Sequence, residues 1–510
     1  MLAKVCSYGL LGIDAYPIEI EVDVSNGLPV VNLVGLADPA IKESKIRVKS
    51  AIKNSGFKWP GSRITISLAP SDIKKDGTGF DLAIALGILA ASGQIRTKEL
   101  LNFCFLGELS LDGSLRPVKG ILPIGLRLCQ STVKDLVVAY DNAKEAAVIE
   151  QLSVWPLKSL QHAVQFLHDH TMQHPFTLDR AALFQKAVSY PVDFAEIKGQ
   201  FAAKRAVEVA VAGGHNLLLI GPPGSGKSML AKRIPTIMPR LSLEEALEVT
   251  RIHSASGKAP IQDGILASHP FRQPHHTISY AGLVGGGPVP QPGEISLAHQ
   301  GVLFLDELPE FRRDCLESLR QPLEDGCVRI GRAHRSLVFP ANFMLVCAMN
   351  PCPCGYLTDP RKPCRCNPGK IENYVSKISG PLLDRIDIHI AVPAMQYREL
   401  AEGAESENSG AIRARIERAR TLQRERLARE AVFCNAQMNT RQVKKYCPLS
   451  GEAAALLKNA MAELGLSARA YEKIIKVSQT IADLAETEQI KSEHIAEAIH
   501  YRSLDRDFFA

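Results

Sequence analysis

Leu217-Leu218-Leu219-Ile220-Gly221-Pro222-Pro223-Gly224-Ser225-Gly226-Lys227-Ser228 is the stretch around which the chain is read. Four apolar residues run into a glycine-rich turn, and Met229-Leu230-Ala231-Lys232 continues as a helix. This is strand, loop and helix with the pattern G-x-x-x-x-G-K-[ST] complete. Glycines let backbone N–H groups close around phosphate oxygens with no Cβ in the way. The helix start adds partial positive charge at the same point. Lys227 is expected to reach the β- and γ-phosphates of ATP and Ser228 to hold Mg²⁺. Gly221, Pro222, Pro223, Gly224, Ser225 and Gly226 form the loop.

Composition sets the frame. At 510 residues the chain exceeds one core, so several domains are expected. Hydrophobic content of 46% with 22% charged residues describes an ordinary globular protein, and a net charge of +6 says little about partners. The apolar run Leu82 to Ala91 is too short to span a bilayer. The stretch Met1 to Ser7 lacks a signal-peptide core, so a cytoplasmic protein without membrane contact is expected. Of twelve cysteines, four crowd into residues 352–366, which suggests metal over disulfides.

Residues 1–170 read as an α+β domain. Ile18 to Val24 alternates as a half-buried strand, and Asn26-Gly27 signals a hairpin into a second strand ending near Val34. Asp38 and Pro39 open a helix with Ile41, Val48 and Ile52 on one face and Gly56 closing it. Ile64 to Leu68 reads as a strand and Asp81 to Ser92 as a helix. Lys75-Asp76-Gly77-Thr78-Gly79-Phe80-Asp81-Leu82, with Gly107-Glu108-Leu109-Ser110-Leu111-Asp112-Gly113-Ser114-Leu115-Arg116-Pro117-Val118, resembles the protease domain of Lon. That family uses a Ser–Lys dyad. The serine's place falls here at Gly79 and the lysine's near Leu122, so the resemblance implies the scaffold without the protease.

After a connector at 171–195, a helix from Ala202 to Ala212 leads into the phosphate-loop strand. Gly301-Val302-Leu303-Phe304-Leu305-Asp306-Glu307 is an apolar strand ending in two acids. Asp306 is expected to complete the Mg²⁺ shell and Glu307 to polarise the attacking water. Phe343 to Met349 is a further strand ending at Asn350. In AAA+ ATPases, which this order of motifs resembles, that position carries the polar residue orienting water at the γ-phosphate. Gly380-Pro381-Leu382-Leu383-Asp384-Arg385-Ile386-Asp387 resembles the arginine-finger element of MCM and magnesium-chelatase motors. Gly465-Leu466-Ser467-Ala468-Arg469-Ala470-Tyr471 resembles their second sensor. The likeness implies that Arg385 and Arg469 act on a neighbour's nucleotide, and therefore a ring, most often a homo-hexamer.

Two insertions depart from a generic motor. Phe271 to His299, with three glycines at Gly285-Gly286-Gly287, resembles the pore-facing insert of the same motors. Its paired His275 and His276 are not expected to hold metal, since adjacent side chains point apart and no third ligand is evident. Val328-Arg329-Ile330-Gly331-Arg332-Ala333-His334-Arg335-Ser336-Leu337-Val338 reads as a β-hairpin with its turn near Arg332. Arg329, Arg332, His334 and Arg335 would suit phosphate contacts on DNA; a solvated charged tip is the competing reading. Cys352-Pro353-Cys354 and Cys364-Arg365-Cys366 offer four thiolates for structural Zn²⁺, against unligated thiols in a proline-rich loop. Glu402 to Gly410 reads as a polar linker. Ile412 to Glu430 carries seven arginines on a helix with Ile412, Ile416, Ala419 and Leu422 as its apolar seam, and reads as a solvated face before a DNA site. Gly451 to Leu504 supplies further helices.

In this order the chain resembles the ComM/YifB family of magnesium-chelatase-like proteins. The expected fold is multi-domain α/β. A Lon-protease-like α+β domain spans 1–170. An AAA+ core with a helix-2 insert spans 196–395 and carries the cysteine-rich loop 350–368, and a helical lid spans 396–510. The resemblance implies a hexameric ATP-driven DNA helicase that drives branch migration and helps integrate single-stranded DNA in natural transformation. A chelatase-type motor or a protein-remodelling ATPase, with protein partners on the first domain, remains the alternative.

Overall fold

The computed structural model describes residues 1–504 apart from 37, 97, 170–172, 180–189, 259–262, 288, 332–335, 358, 360, 395–406, 431 and 465–466. Its contacts gather into two units. The first comprises Met1–Val188, Ser242–Ala267 and Gly286–Pro292; the second comprises Ser189–Leu241, Ser268–Gly285 and Gly293–Ala510. These boundaries differ from the linear ones read at 170 and 396.

The first unit is built on a seven-stranded mixed sheet. Its order is Val31–Val34, Arg63–Ala69, Asp14–Ser25, Leu2–Leu11, Phe103–Phe105, Asp135–Ala139, Ser153–Leu157. Alternation sorts the side chains onto two faces: Phe103 and Phe105 join Val5, Ile20 and Ile64, while Cys104 and Leu106 join Leu136 and Val138. Helix Pro39–Asn54 starts where expected, with Asp38 Oδ1 accepting from Ile41 N at 2.8 Å and Ile41, Val48 and Ile52 buried. The hairpin expected at Asn26-Gly27 does not form. Strand Asp14–Ser25 pairs with Leu2–Leu11 on one side and Arg63–Ala69 on the other. Both its edges are taken, so Val31–Val34 pairs instead with Arg63–Ala69, in parallel. Helix Leu243–Ser256, which follows the phosphate-loop helix in sequence, packs here against Ile121–Leu128, with Gly120 N donating to Ser254 O at 3.1 Å.

A five-stranded parallel sheet forms the centre of the second unit, in the order Phe271–Arg272, Val302–Leu305, Met344–Met349, Leu217–Ile220, Ile388–Ala391. Strands 217–220, 302–305 and 344–349 are buried at every residue, as a sheet covered on both faces requires. One core runs from Leu217, Val346 and Ile388 through Ile412, Ile416, Ile474 and Ile481. The C-terminal helices therefore share the motor's interior. Helix Ser409–Arg426 buries Ile412, Ile416 and Ala419 as expected, but Leu422 is exposed and Gln423 takes the buried place. The helical step from Ala419 leads there, and the amide is satisfied by Ala212 O at 3.0 Å and Asn435 N at 3.1 Å. Its arginines are mostly engaged: Arg415 with Glu208 and Glu407, Arg418 with Glu486, Arg426 with Asp483, and Arg420 with Val211 O.

Candidate active site

Strand order decides the site. Met344–Met349 lies between the phosphate-loop strand and the Asp306 strand, so the C-terminal ends of all three open onto one place. Gly221 is the pivot of the loop. A Cβ there would lie 2.1 Å from Val392 O, so only glycine fits. Gly224 and Gly226 take left-handed φ of 76° and 92° and aim the chain into helix Lys227–Ile237.

Lys227 Nζ donates to Gly221 O at 2.7 Å, Pro222 O at 2.9 Å and Asn350 Oδ1 at 3.3 Å. Burial lowers its pKa from 10.5 to about 8, against an opposing pull from Asp306. Ser228 Oγ donates to Asp306 Oδ2 at 2.6 Å, the pair expected to share Mg²⁺. Glu307 sits at a left-handed φ of 54°, a conformation costly for a side-chain-bearing residue and found disproportionately at functional sites. Thus Lys227, Ser228, Asp306 and Asn350 meet through direct hydrogen bonds, with Glu307 beside them.

His276 is the neighbour that sequence reasoning passed over. Its Nδ1 lies 3.4 Å from Glu307 Oε2, and its ring meets Phe311 edge-on at 6.4 Å. The two imidazoles do not point apart as expected: their centroids are 4.1 Å apart. A turn at 275–278, closed by Ile278 N donating to His275 O, brings them side by side. The doublet itself was the available signal.

Arg385 and Arg469 lie elsewhere on the unit. Arg385 bonds Pro381 O and Glu324, while Arg469 Nη1 donates to Asp384 Oδ2 at 3.4 Å. Both thus lie at the 380–385 segment, and among the described residues no hydrogen bond joins either to the phosphate loop. In the basic hairpin, Cys327–Gly331 pairs antiparallel with Ser336–Pro340, with Arg329 exposed opposite Val338. Arg332, His334 and Arg335 lie outside the described residues.

The four cysteines converge. Cys352, Cys354, Cys364 and Cys366 bring all sulfurs within 4.8 Å of one another, the only such metal-capable group among the described residues. Cys352 Sγ lies 3.4 Å from Cys354 and 3.7 Å from Cys364, and Cys354 lies 3.6 Å from Cys364. Disulfides need about 2.05 Å. Tetrahedral thiolates at about 2.3 Å from one ion are about 3.8 Å apart. The spacing fits a shared metal.

In the first unit, Gly79 borders a cavity of about 250 Å³ lined also by Asp76, Thr78, Glu108, Lys119 and Gln291. Leu122 is buried and not among the lining residues. Neither position carries a nucleophile or a base.

A phosphate loop on a parallel sheet, with acids and a polar sensor on neighbouring strand ends, defines an ATPase of the AAA+ type, for which ATP and Mg²⁺ are the implied ligands. Three family descriptions match: subunit ChlI of Mg-chelatase over residues 20–142, magnesium chelatase subunit ChlI over 193–400, and its C-terminal part over 406–502. Competence protein ComM of Haemophilus influenzae is 43% identical, covering 99% of this chain and 98% of that relative. The uncharacterized protein YifB of Salmonella typhimurium is 41% identical, with the same coverage. Lon protease 2 of Bacillus subtilis is 26% identical over 180 residues, 32% of each chain. The chain belongs to the ComM/YifB family of magnesium-chelatase-like proteins. No described helix is long and apolar enough to cross a membrane.

Proposed function

We propose that the protein is a ring-forming, ATP-driven motor on DNA. In this reading it is a cytoplasmic homo-hexameric helicase that drives branch migration and helps integrate single-stranded DNA during natural transformation or recombination. The observation that carries it is the 43% identity with a competence protein, sustained over 99% of this chain. The convergence of Lys227, Ser228, Asp306 and Asn350 supports a working motor beneath that likeness.

Lys227 binds the β- and γ-phosphates, Ser228 and Asp306 hold Mg²⁺, Glu307 polarises the attacking water and Asn350 orients it against the γ-phosphate. Arg385 and Arg469 serve the neighbouring subunit's nucleotide. Arg329, Arg332, His334 and Arg335 contact DNA phosphates in the pore. Zn²⁺ at the four cysteines is structural, because four thiolates leave no open position. Residues 1–170 act as a Lon-like scaffold for protein partners, and the helical segment after 396 as the lid.

The test is ATP hydrolysis by the full chain with and without single-stranded and forked DNA at several salt concentrations, with Glu307→Gln as the control for contaminants. Stimulation that fades as salt rises is expected. Its loss in Arg332→Ala and Arg335→Ala assigns the contact to the hairpin. Indifference to every DNA offered overturns the reading in favour of protein remodelling. Tyr280, half exposed at the start of helix Tyr280–Val284, would then be the residue gripping polypeptide.

A further inference from the structure

We infer that the metal held by Cys352, Cys354, Cys364 and Cys366 positions the nucleotide site itself, by fixing the loop that presses on Pro223 and brackets Asn350. This rests on reading the cluster as a zinc site.

Four observations carry it. Cys352 follows Asn350 by two residues, and Asn350 Oδ1 accepts from Lys227. Gly355, at the turn closed by its N–H to Cys352 O at 2.9 Å, has a φ of 85°. A Cβ built there would lie 2.5 Å from Pro223 Cδ and 3.8 Å from Asn350 Cγ, so the cysteine loop lies directly against the phosphate loop. The loop's far end returns to the same residue: Asn367, next to Cys366, caps helix Pro368–Val375, and the buried Tyr374 of that helix lies beside the Asn350 backbone.

Asn350 is therefore held from both ends of one loop, and the four thiolates are what join those ends. Ligands to a common ion set the spacing of the segments that carry them to a few tenths of an ångström. A shift of the loop would move Pro223 and Asn350 together. Gly355 and the cysteines are positioning residues in this scheme, since none is in hydrogen-bonding contact with Lys227, Ser228 or Asp306.

The experiment uses the full chain purified under reducing conditions. Metal content is measured by atomic emission. The dissociation constant of a fluorescent ATP analogue and the hydrolysis rate are then measured before and after a zinc-selective chelator that leaves Mg²⁺ in solution. One zinc per chain is expected. Stripping should weaken nucleotide binding about tenfold and slow hydrolysis about 100-fold, the scale of an ångström-level misplacement, and stoichiometric Zn²⁺ should restore both. Zinc that leaves with binding and hydrolysis unchanged overturns the inference and keeps the zinc reading. A chain that holds no zinc and takes none up overturns both. Should stripping unfold the protein, Gly355→Ala decides. It is expected to keep its zinc while nucleotide affinity falls about tenfold, the scale of forcing a side-chain-bearing residue into a left-handed conformation against the Pro223 ring. Unchanged affinity in that variant overturns the inference.

Discussion

Two glycine-bearing turns in this molecule each lead into a helix start, and they have opposite fates. In the second unit, Gly226 opens helix Lys227–Ile237, and the side chains that follow point into a polar site. In the first, the turn at Gly77, with φ of 90°, leads into Asp81–Ala91, whose residues are all buried. Its leading carboxylate, Asp81, turns inward to Arg47 Nε at 3.0 Å, and two residues before it stands Gly79, which carries no nucleophile. Both turns lead into helix starts, but in the second unit Lys227 and Ser228 follow the glycine directly and bond Asn350 and Asp306, whereas Thr78 of the first unit bonds Glu108. Backbone shape creates a place for an anion, and side-chain chemistry decides whether anything happens there.

The contrast can be broken at several points. The largest expected effect is at Glu307→Gln, which should cut hydrolysis by ~10²–10⁴-fold, the usual contribution of a positioned base, while nucleotide binding persists. Binding that fails alongside hydrolysis would move Glu307 from chemistry to architecture. Next comes a matched pair of glycine variants. Gly221→Ala places a methyl 2.1 Å from Val392 O and should abolish nucleotide binding. Gly79→Ala meets nothing nearer than Val118 Cγ1 at 3.7 Å and should change stability by under about 0.5 kcal/mol. Equal damage in both, read by thermal melts and nucleotide titration, would erase the distinction.

Arg47→Met leaves Asp81 buried without its charge partner, with only the Leu109 N–H at 3.3 Å on its carboxylate, and should destabilise the chain by about 3 kcal/mol in denaturant titrations at neutral pH. The pH dependence has a definite sign. Burial lifts Asp81 from 3.8 to about 6, against the opposing pull of Arg47, so the folded chain holds this proton more tightly than the unfolded chain. That contribution is complete below 3.8 and is lost as pH rises through 6. Asp81→Asn should flatten the slope.

The smallest effect is at Lys227, and it sharpens the comparison on the nucleotide side. Its ammonium is held near pKa 8 by burial, and phosphate oxygens favour its charged form. Nucleotide binding should therefore take up a proton increasingly as pH rises past 8, up to about one per site, visible by calorimetry in buffers of different ionisation enthalpy. Uptake that is flat between pH 7 and 9 would contradict this.

What was legible in the residues is what is local. The phosphate loop, the acids at 306 and 307, the polar end at 350 and the capped helix at Pro39 each declare themselves within a dozen residues, because turn chemistry and periodicity act over that range. The convergence of cysteines across residues 352–366 belongs to the same class. Pairing is different. Nothing near Val31 says that both edges of Asp14–Ser25 are already occupied. Leu422 reads as the seam because it is apolar, whereas the buried position is set by helical angle, and Gln423 is kept there by an acceptor from Ala212 and a donor from Asn435. The closeness of His276 to Glu307 joins residues 31 apart in sequence, which no periodicity reveals.

The chain's route has a practical consequence. It leaves the first unit after 188, returns for 242–267, and returns again for 286–292, so five crossings tie the units together. A single protease cut near 188 would nick the protein without releasing either half. Expressing residues 1–170 alone would leave Ile121–Leu128 without helix Leu243–Ser256, its packing partner. The two halves are laced through each other's sequence, and neither can be lost or exchanged as a module without unpicking the other.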